Sequence, residues 1–190
     1  AAVLVPWAIP TAITAKLWAF LFSEQGIVNS IFHAHVAWQT DPWAARFSII
    51  LADVWKTTPF MALLILAGLQ MIPKDLYEAA RMDGANAWQR FTRITLPLAK
   101  NSIIVAVLFR MLDALRMYDL PYIMVGPNPD SPTATLSQLV VAAIRQDHVN
   151  AASALSTLIF LLIFLIALCF VKSLGSKVAH QAEPVVAEEE

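Results

Sequence analysis

The sequence predicts an all-α membrane protein with four membrane-spanning helices and one ordered, charged connector between the second and the third. Three observations predict it. Hydrophobic residues make up 58% of the 190 residues and charged residues only 14%, against roughly 25% charged in soluble domains; the mean hydropathy is +0.63. The apolar residues gather into four runs near the ~20 residues that a bilayer-crossing helix needs. Between the second and third runs lies "YEAARMDGANAWQRFTRITLPLAK", residues 77–100, which concentrates six charges in one compact, glycine-punctuated stretch.

The first run, residues 1–22, is interrupted by Lys16 and contains Pro6 and Pro10. The second, 47–71, contains Asp53, Lys56 and Pro59, and the proline is expected to kink it. The third, 102–118, carries Arg110, Asp113 and Arg116. The fourth, 151–171, has no charge at all and no polar face at helical period, as a lipid-embedded span requires. Basic residues set the orientation. Lys74, Arg81, Arg90, Arg93 and Lys100 lie in the connector, and Lys172 and Lys177 follow the last span, whereas the other two connections hold only Arg46 and Arg145. By the positive-inside rule the connector and the C-terminus are cytoplasmic, and with four spans so is the N-terminus.

Residues 23–46 read as an outer loop. Its His33 and His35 form an H-x-H pair that lacks further ligands, so a solvated loop is the reading rather than a metal site. In the later outer loop, Ser131 and Pro132 suit an N-cap and first helical position. Leu136, Leu139, Val140, Ala143 and Ile144 then recur on one face, giving an amphipathic helix over about 132–146. Residues 1–178 thus form the membrane domain, and 179–190, ending in three glutamates, read as an acidic, disordered tail.

Several function classes drop out. The net charge of −1 gives no electrostatic basis for binding nucleic acid. The single Cys169 rules out a disulfide framework or a cysteine metal cluster. No G-x-x-x-x-G-K-[ST] loop is present, so the chain is not itself an ATPase; no H-E-x-x-H and no catalytic Ser/His/Asp arrangement appears. The chain starts at Ala1 without a secretory leader, and the expectation is that it begins partway through a longer protein.

Within the connector, residues 73–97, the chemistry is that of two short helices with marked ends. Pro73 suits a first turn and Gly84 the left-handed residue after a last turn. Asn86 followed by Gln89 resembles a capping box, Trp88, Phe91 and Ile94 recur at helical spacing, and Pro97 is expected to stop the second helix. Ala79 and Ala80 let another surface approach closely, and Glu78 offers a carboxylate for bidentate pairing with an arginine. Both a docking surface and a merely solvated amphipathic connector satisfy this pattern.

The spacing Glu78-Ala79-Ala80, three residues, Gly84, nine residues, Ile94, one residue, Leu96-Pro97 resembles the EAA signature of binding-protein-dependent ABC importer permeases. "LVPWAIP", "DVWKTTPFMALLILAGLQMIP" and "LFRMLDALRMYDLPYIM" are similar to the carbohydrate-uptake branch of that family, and the likeness reaches about Val171. The resemblance implies the last four spans of a six-span type I permease in a bacterial or archaeal inner membrane. It implies a cytoplasmic coupling helix docked on an ABC ATPase through Glu78, Ala79, Ala80, Asp83 and Gly84. It also implies a second permease subunit, an extracytoplasmic binding protein and a sugar substrate. ATP and magnesium would be used by the ATPase partner, with no cofactor in this chain. The family's Thr-Gly-Gly-Pro turn after the third span is replaced here by "VGPNPD".

Charges at membrane depth are costly and default to function. Asp113 lies about 16 Å along the third span at ~1.5 Å per residue. A polar solute path would draw on Trp55, Lys56, Asp113, Arg116, Tyr118 and Asp119. The alternatives are an ion-pair ladder of Arg110, Asp113 and Arg116 to another helix, such as the one bearing Asp53 and Lys56, with the aromatics acting as interfacial anchors. Rival readings of the whole chain are a permease for a polyamine, phosphate or amino acid, an intramembrane enzyme using His33, His35 or Asp113, and a structural scaffold.

Overall fold

The computed structural model describes residues 2–181, with side chains over 3–172. Among these residues the chain is helical throughout, with no strand. After a short 3₁₀ turn at Ala2–Leu4 come α1 (Val5–Ala8), α2 (Thr11–Leu21), α3 (Ile27–Phe32) and α4 (Pro42–Gln70). The connector holds α5 (Lys74–Met82) and α6 (Ala87–Arg90), and a π-helical turn, Phe91–Thr95, leads into α7 (Leu96–Leu115). The chain then forms α8 (Asp119–Met124), α9 (Leu136–Arg145) and α10 (Val149–Gln181).

Three described helices are long and apolar enough to cross a membrane: Pro42–Gln70, Ala87–Leu115 and Val149–Lys172. The first differs from the expected 47–71 because Asp41 caps it, its carboxylate accepting from the backbone N–H groups of Trp43 (3.0 Å) and Ala44 (2.8 Å). Pro59 lies inside α4 without ending it; the hydroxyls of Thr57 and Thr58 donate to the carbonyls of Asp53 (2.7 Å) and Val54 (2.6 Å) just before it. The second does not stop at Pro97. This proline lies at the start of α7, directly after the π turn Phe91–Thr95, so its missing N–H falls where the regular i→i−4 ladder is already interrupted.

The expected single helix over 1–22 is broken. Ile9 is extended (φ −71°, ψ 132°), as the residue before a proline prefers, and α2 has only 11 residues. The third span likewise ends at Leu115, with Arg116 capping it and α8 starting afresh at Asp119. The amphipathic helix expected over about 132–146 starts at Leu136 and not at 132. Thr135 and Gln138 form a reciprocal capping box there, satisfying two orphan N–H groups, whereas Ser131 folds into a local turn with Thr133. Leu136, Leu139, Val140 and Ala143 are partly covered on that helix, but Ile144 is exposed. Helix α10 continues to Gln181, so residues 179–181 of the expected disordered tail are helical, and 182–190 lie outside the described residues.

The core is where α2, α4 and α8 meet. Ala15, Phe22, Ile49, Ala52, Leu120 and Met124 are buried there. Trp18 stacks on Phe22 (5.6 Å) and meets Trp55 edge-on (5.8 Å), and Phe22 touches Trp38 at 5.0 Å. Asn29 pins the segment between α2 and α4 to this aromatic wall: its amide donates to the carbonyls of Glu24 and Val36, both at 3.0 Å, while Trp38 Nε1 donates to Asn29 Oδ1 at 2.7 Å. Helix α10 packs on α9 and α7 and leaves Leu158, Phe160 and Leu165 mostly exposed, the apolar surface expected of a chain whose solvent is lipid.

Helices α4 and α7 approach closely at Gly68, where an added Cβ would stand 1.9 Å from Ser102 Oγ and 2.2 Å from its Cβ. Gly68→Ala is therefore expected to overpack the pair by about 1–3 kcal/mol and lower the melting temperature in detergent. Adding Ser102→Gly should restore most of the loss; a melting temperature unchanged by Gly68→Ala would show that the two helices are not in contact there.

Candidate functional site

Two regions draw the charged residues together. The first is the connector. Helix α5 ends in a Schellman closure, with Ala85 N–H donating to the Ala80 carbonyl (2.9 Å) and Gly84 N–H to the Arg81 carbonyl (3.0 Å). Gly84 has φ +77°, the left-handed conformation that favours glycine. Asn86 and Gln89 form the expected capping box, and Arg90 Nη1 donates to the Ala85 carbonyl at 2.5 Å. None of α5 is buried: Glu78, Ala79 and Asp83 are exposed and Met82 is 88% exposed. Beside it, Ala80, Asp83, Gly84, Gln89, Arg93 and Ile94 line a groove of about 430 Å³. The segment is thus rigid in its turns and open on its surface.

The second region is a polar cavity of about 190 Å³ among otherwise apolar helices. It sits where two helices break. Thr11 opens α2 just after the Ile9–Pro10 interruption, Arg116, Met117 and Tyr118 form the interruption between α7 and α8, and Asp119 and Leu120 open α8. Helix α4 supplies Asp53, Lys56 and Thr57, and α7 supplies Asp113. Broken helices are how membrane proteins bring polar backbone to a site without exposing it to lipid. Lys56 Nζ donates to the Ile9 carbonyl at 2.6 Å, satisfying an acceptor at the first break. Ser137 Oγ donates to the Arg116 carbonyl at 3.2 Å, doing the same at the second.

Arg110 ties the site across helices. Its Nη2 bonds Asp53 Oδ2, and its Nη1 bonds Asp113 Oδ2 at 3.2 Å. The ion-pair alternative is thus met in part: Arg110 links Asp113 to Asp53 on α4, while among the described residues Arg116 and Lys56 form no ion pair. Five of the six residues expected along a solute path, Lys56, Asp113, Arg116, Tyr118 and Asp119, line the cavity. Trp55 does not; it belongs to the aromatic wall with Trp18. Sequence reasoning missed Thr11 and Thr57, and Trp7 stacked on Phe60 at 5.7 Å. The latter two line an adjoining space of about 210 Å³ that shares Thr57, Asp113 and Arg116 with the first. Pro10 and the threonines in "KTTPF" were the available signals. His33 and His35 are exposed, and no group of three metal-ligating side chains occurs among the described residues.

The model of the family described as "binding-protein-dependent transport system inner membrane component" matches residues 2–180. The chain belongs to that family. It is 44% identical to the trehalose/maltose transport system permease protein MalF of Thermococcus litoralis, over 90% of this chain and 60% of the relative. It is 45% identical to the sulfoquinovosyl glycerol transport system permease protein SmoG of Agrobacterium fabrum, over 72% of this chain and 46% of the relative. The fold superposes on a solved bacterial ABC transporter involved in import of the acidic polysaccharide alginate, with a TM-score of 0.81 and 26% identity, covering 92% of this chain and 63% of that one. The chain thus spans about half to three-fifths of the length of these curated relatives.

The ion-pair geometry makes a testable distinction. The Asp53 side chain is 10% exposed and that of Asp113 is 63% exposed. Asp53→Asn leaves a partly buried guanidinium held only by an exposed carboxylate, and breaking such a buried pair costs about 3–5 kcal/mol. Asp113→Asn removes the exposed arm alone, worth about 1 kcal/mol or less. Folded protein recovered from membranes should fall sharply in Asp53→Asn and little in Asp113→Asn; equal losses would remove Asp53 from its place as the main partner of Arg110.

Proposed function

We propose that this chain is the membrane-spanning part of a permease subunit in an ATP-driven importer for a sugar. The observation that carries this reading is the charge-balanced polar cavity at the junction of two broken helices. Counting Arg110, three carboxylates (Asp53, Asp113, Asp119) face three cations (Lys56, Arg110, Arg116). A site without net charge, rich in hydrogen-bonding groups and flanked by the Trp7–Phe60 stack, suits a neutral polyhydroxyl solute better than phosphate or a polyamine. The trehalose/maltose name of one relative supports a neutral sugar; the sulfoquinovosyl glycerol of the other is a sugar derivative that carries a sulfonate, so it supports the sugar class and not its neutrality.

In this reading α1 and α2 together make a broken first crossing, and α4, the Ala87–Leu115 helix and α10 make the other three. The connector and both chain ends face the cytoplasm, and the chain supplies the last four spans of a six-span subunit in an inner membrane. Helix α5, through Glu78, Ala79, Ala80, Asp83 and Gly84, docks on an ATPase subunit that binds ATP and magnesium. A second permease and an extracytoplasmic binding protein complete the assembly. This chain performs no catalysis: nucleotide-driven closure of the ATPases moves α5 and reorients the cavity between the two sides of the membrane.

Uptake of radiolabelled trehalose by cells with and without the gene tests the function, with putrescine and phosphate as the rival solutes. Gene-dependent trehalose uptake is the expected result, and gene-dependent uptake of either rival alone would replace the sugar reading. Asp113→Asn should change trehalose affinity severalfold per assembled complex. Docking has its own check. Ala80→Trp and Gly84→Val should each lose co-purification of the ATPase, and retention by both would exclude α5 as the contact. An impermeant maleimide should leave Gln89→Cys unlabelled from outside intact cells.

A further inference from the structure

The path from α5 to α7 along the chain is fixed at its turns but weak at one place. After the closure at Gly84 and one turn of α6 it passes through the π turn Phe91–Thr95. A π turn and a following proline leave a helix short of regular i→i−4 bonds, so a push on α5 would be absorbed there. One side-chain bond bypasses all of it. Tyr77 Oη and Thr95 Oγ1 lie 2.9 Å apart, hydrogen-bonded across 18 positions of sequence in a part-buried setting. Thr95 is the last residue of the π turn and the N-cap of α7. Tyr77 is on α5 one residue before Glu78, and no α5 residue is buried, so little else anchors that helix.

We propose that Tyr77 is a positioning residue for transport, whose bond to Thr95 carries the movement of α5 past the π turn to the helix that bears Arg110 and Asp113. The tyrosine ring is a rigid strut with two torsions, and a hydroxyl pair fixes its end in distance and direction. Thr95 lies 15 residues from Arg110, about 22 Å along a stiff helix at ~1.5 Å per residue. A small rotation at Thr95 therefore becomes a displacement of the ion-pair network at the cavity. The inference rests on the importer reading above.

The experiment uses the complete transporter, with its ATPases, second permease and binding protein, in a Cys169→Ser background carrying Phe109→Cys on the exposed face of α7. The readout is the rate of maleimide labelling at that cysteine without nucleotide and with ATP plus vanadate. The background should show a severalfold nucleotide-dependent change. Tyr77→Phe and Thr95→Val should each reduce that change to near zero while the ATPase still co-purifies at background levels, the double variant should be no worse than either single one, and Thr95→Ser should keep the response. A full response in Tyr77→Phe overturns the strut while leaving the importer reading intact. Loss of the ATPase from Tyr77→Phe would make the bond a structural tie and also overturns it. A background that shows no nucleotide-dependent change removes the importer reading, and the strut with it.

Discussion

The guanidinium of Arg110 has to be satisfied inside a bundle whose other surfaces are apolar. It reaches Asp53 on α4 and Asp113 on its own helix, and this requirement organises what surrounds it. An unpaired charge at that depth would cost several kcal/mol, so α4 and α7 are held with Asp53 and Arg110 facing one another. Farther along the same two helices, Gly68 and Ser102 mark a second place of close approach. Polar space lies beside the network, lined by Asp53, Lys56, Asp113 and Arg116.

Backbone groups obey the same rule. Pro10 and the Arg116–Tyr118 turn each interrupt a helix, and each interruption exposes a carbonyl that lipid cannot satisfy. Lys56 answers the first and Ser137 the second. The cost of breaking two helices is thereby offset locally, and the product is a cavity with hydroxyls, carboxylates and cations at its wall. Lys56 is thus both a lining residue and a structural partner, and a solute entering there would compete with the Ile9 carbonyl for its ammonium group.

The connector solves a different problem. It must stay ordered while burying almost nothing, so its order comes from ends instead of a core. The Schellman closure at Gly84, the Asn86–Gln89 box and the bond from Arg90 to Ala85 fix each turn in place. Such local devices leave the outer face of α5 free, which is the property a docking helix needs.

Much of this was legible in the sequence, and the division has a physical basis. Composition and run length determined the helical membrane class, and the spacing around Glu78 and Gly84 determined the connector, because capping and left-handed glycine act over three to six residues. The Lys56, Asp113, Arg116, Tyr118 and Asp119 set was readable because charge in an apolar run is conspicuous. What the sequence could not decide were pairings over long separations. Asp53 choosing Arg110 over Lys56, and Lys56 turning to Ile9, depend on which faces α1, α4 and α7 present to each other across 47 to 57 positions. The helix boundaries were decided by competition as well. Thr135 displaced Ser131 as a cap because its box with Gln138 satisfies two backbone N–H groups, and Pro97 did not end the helix because it follows a π turn that already interrupts the regular ladder.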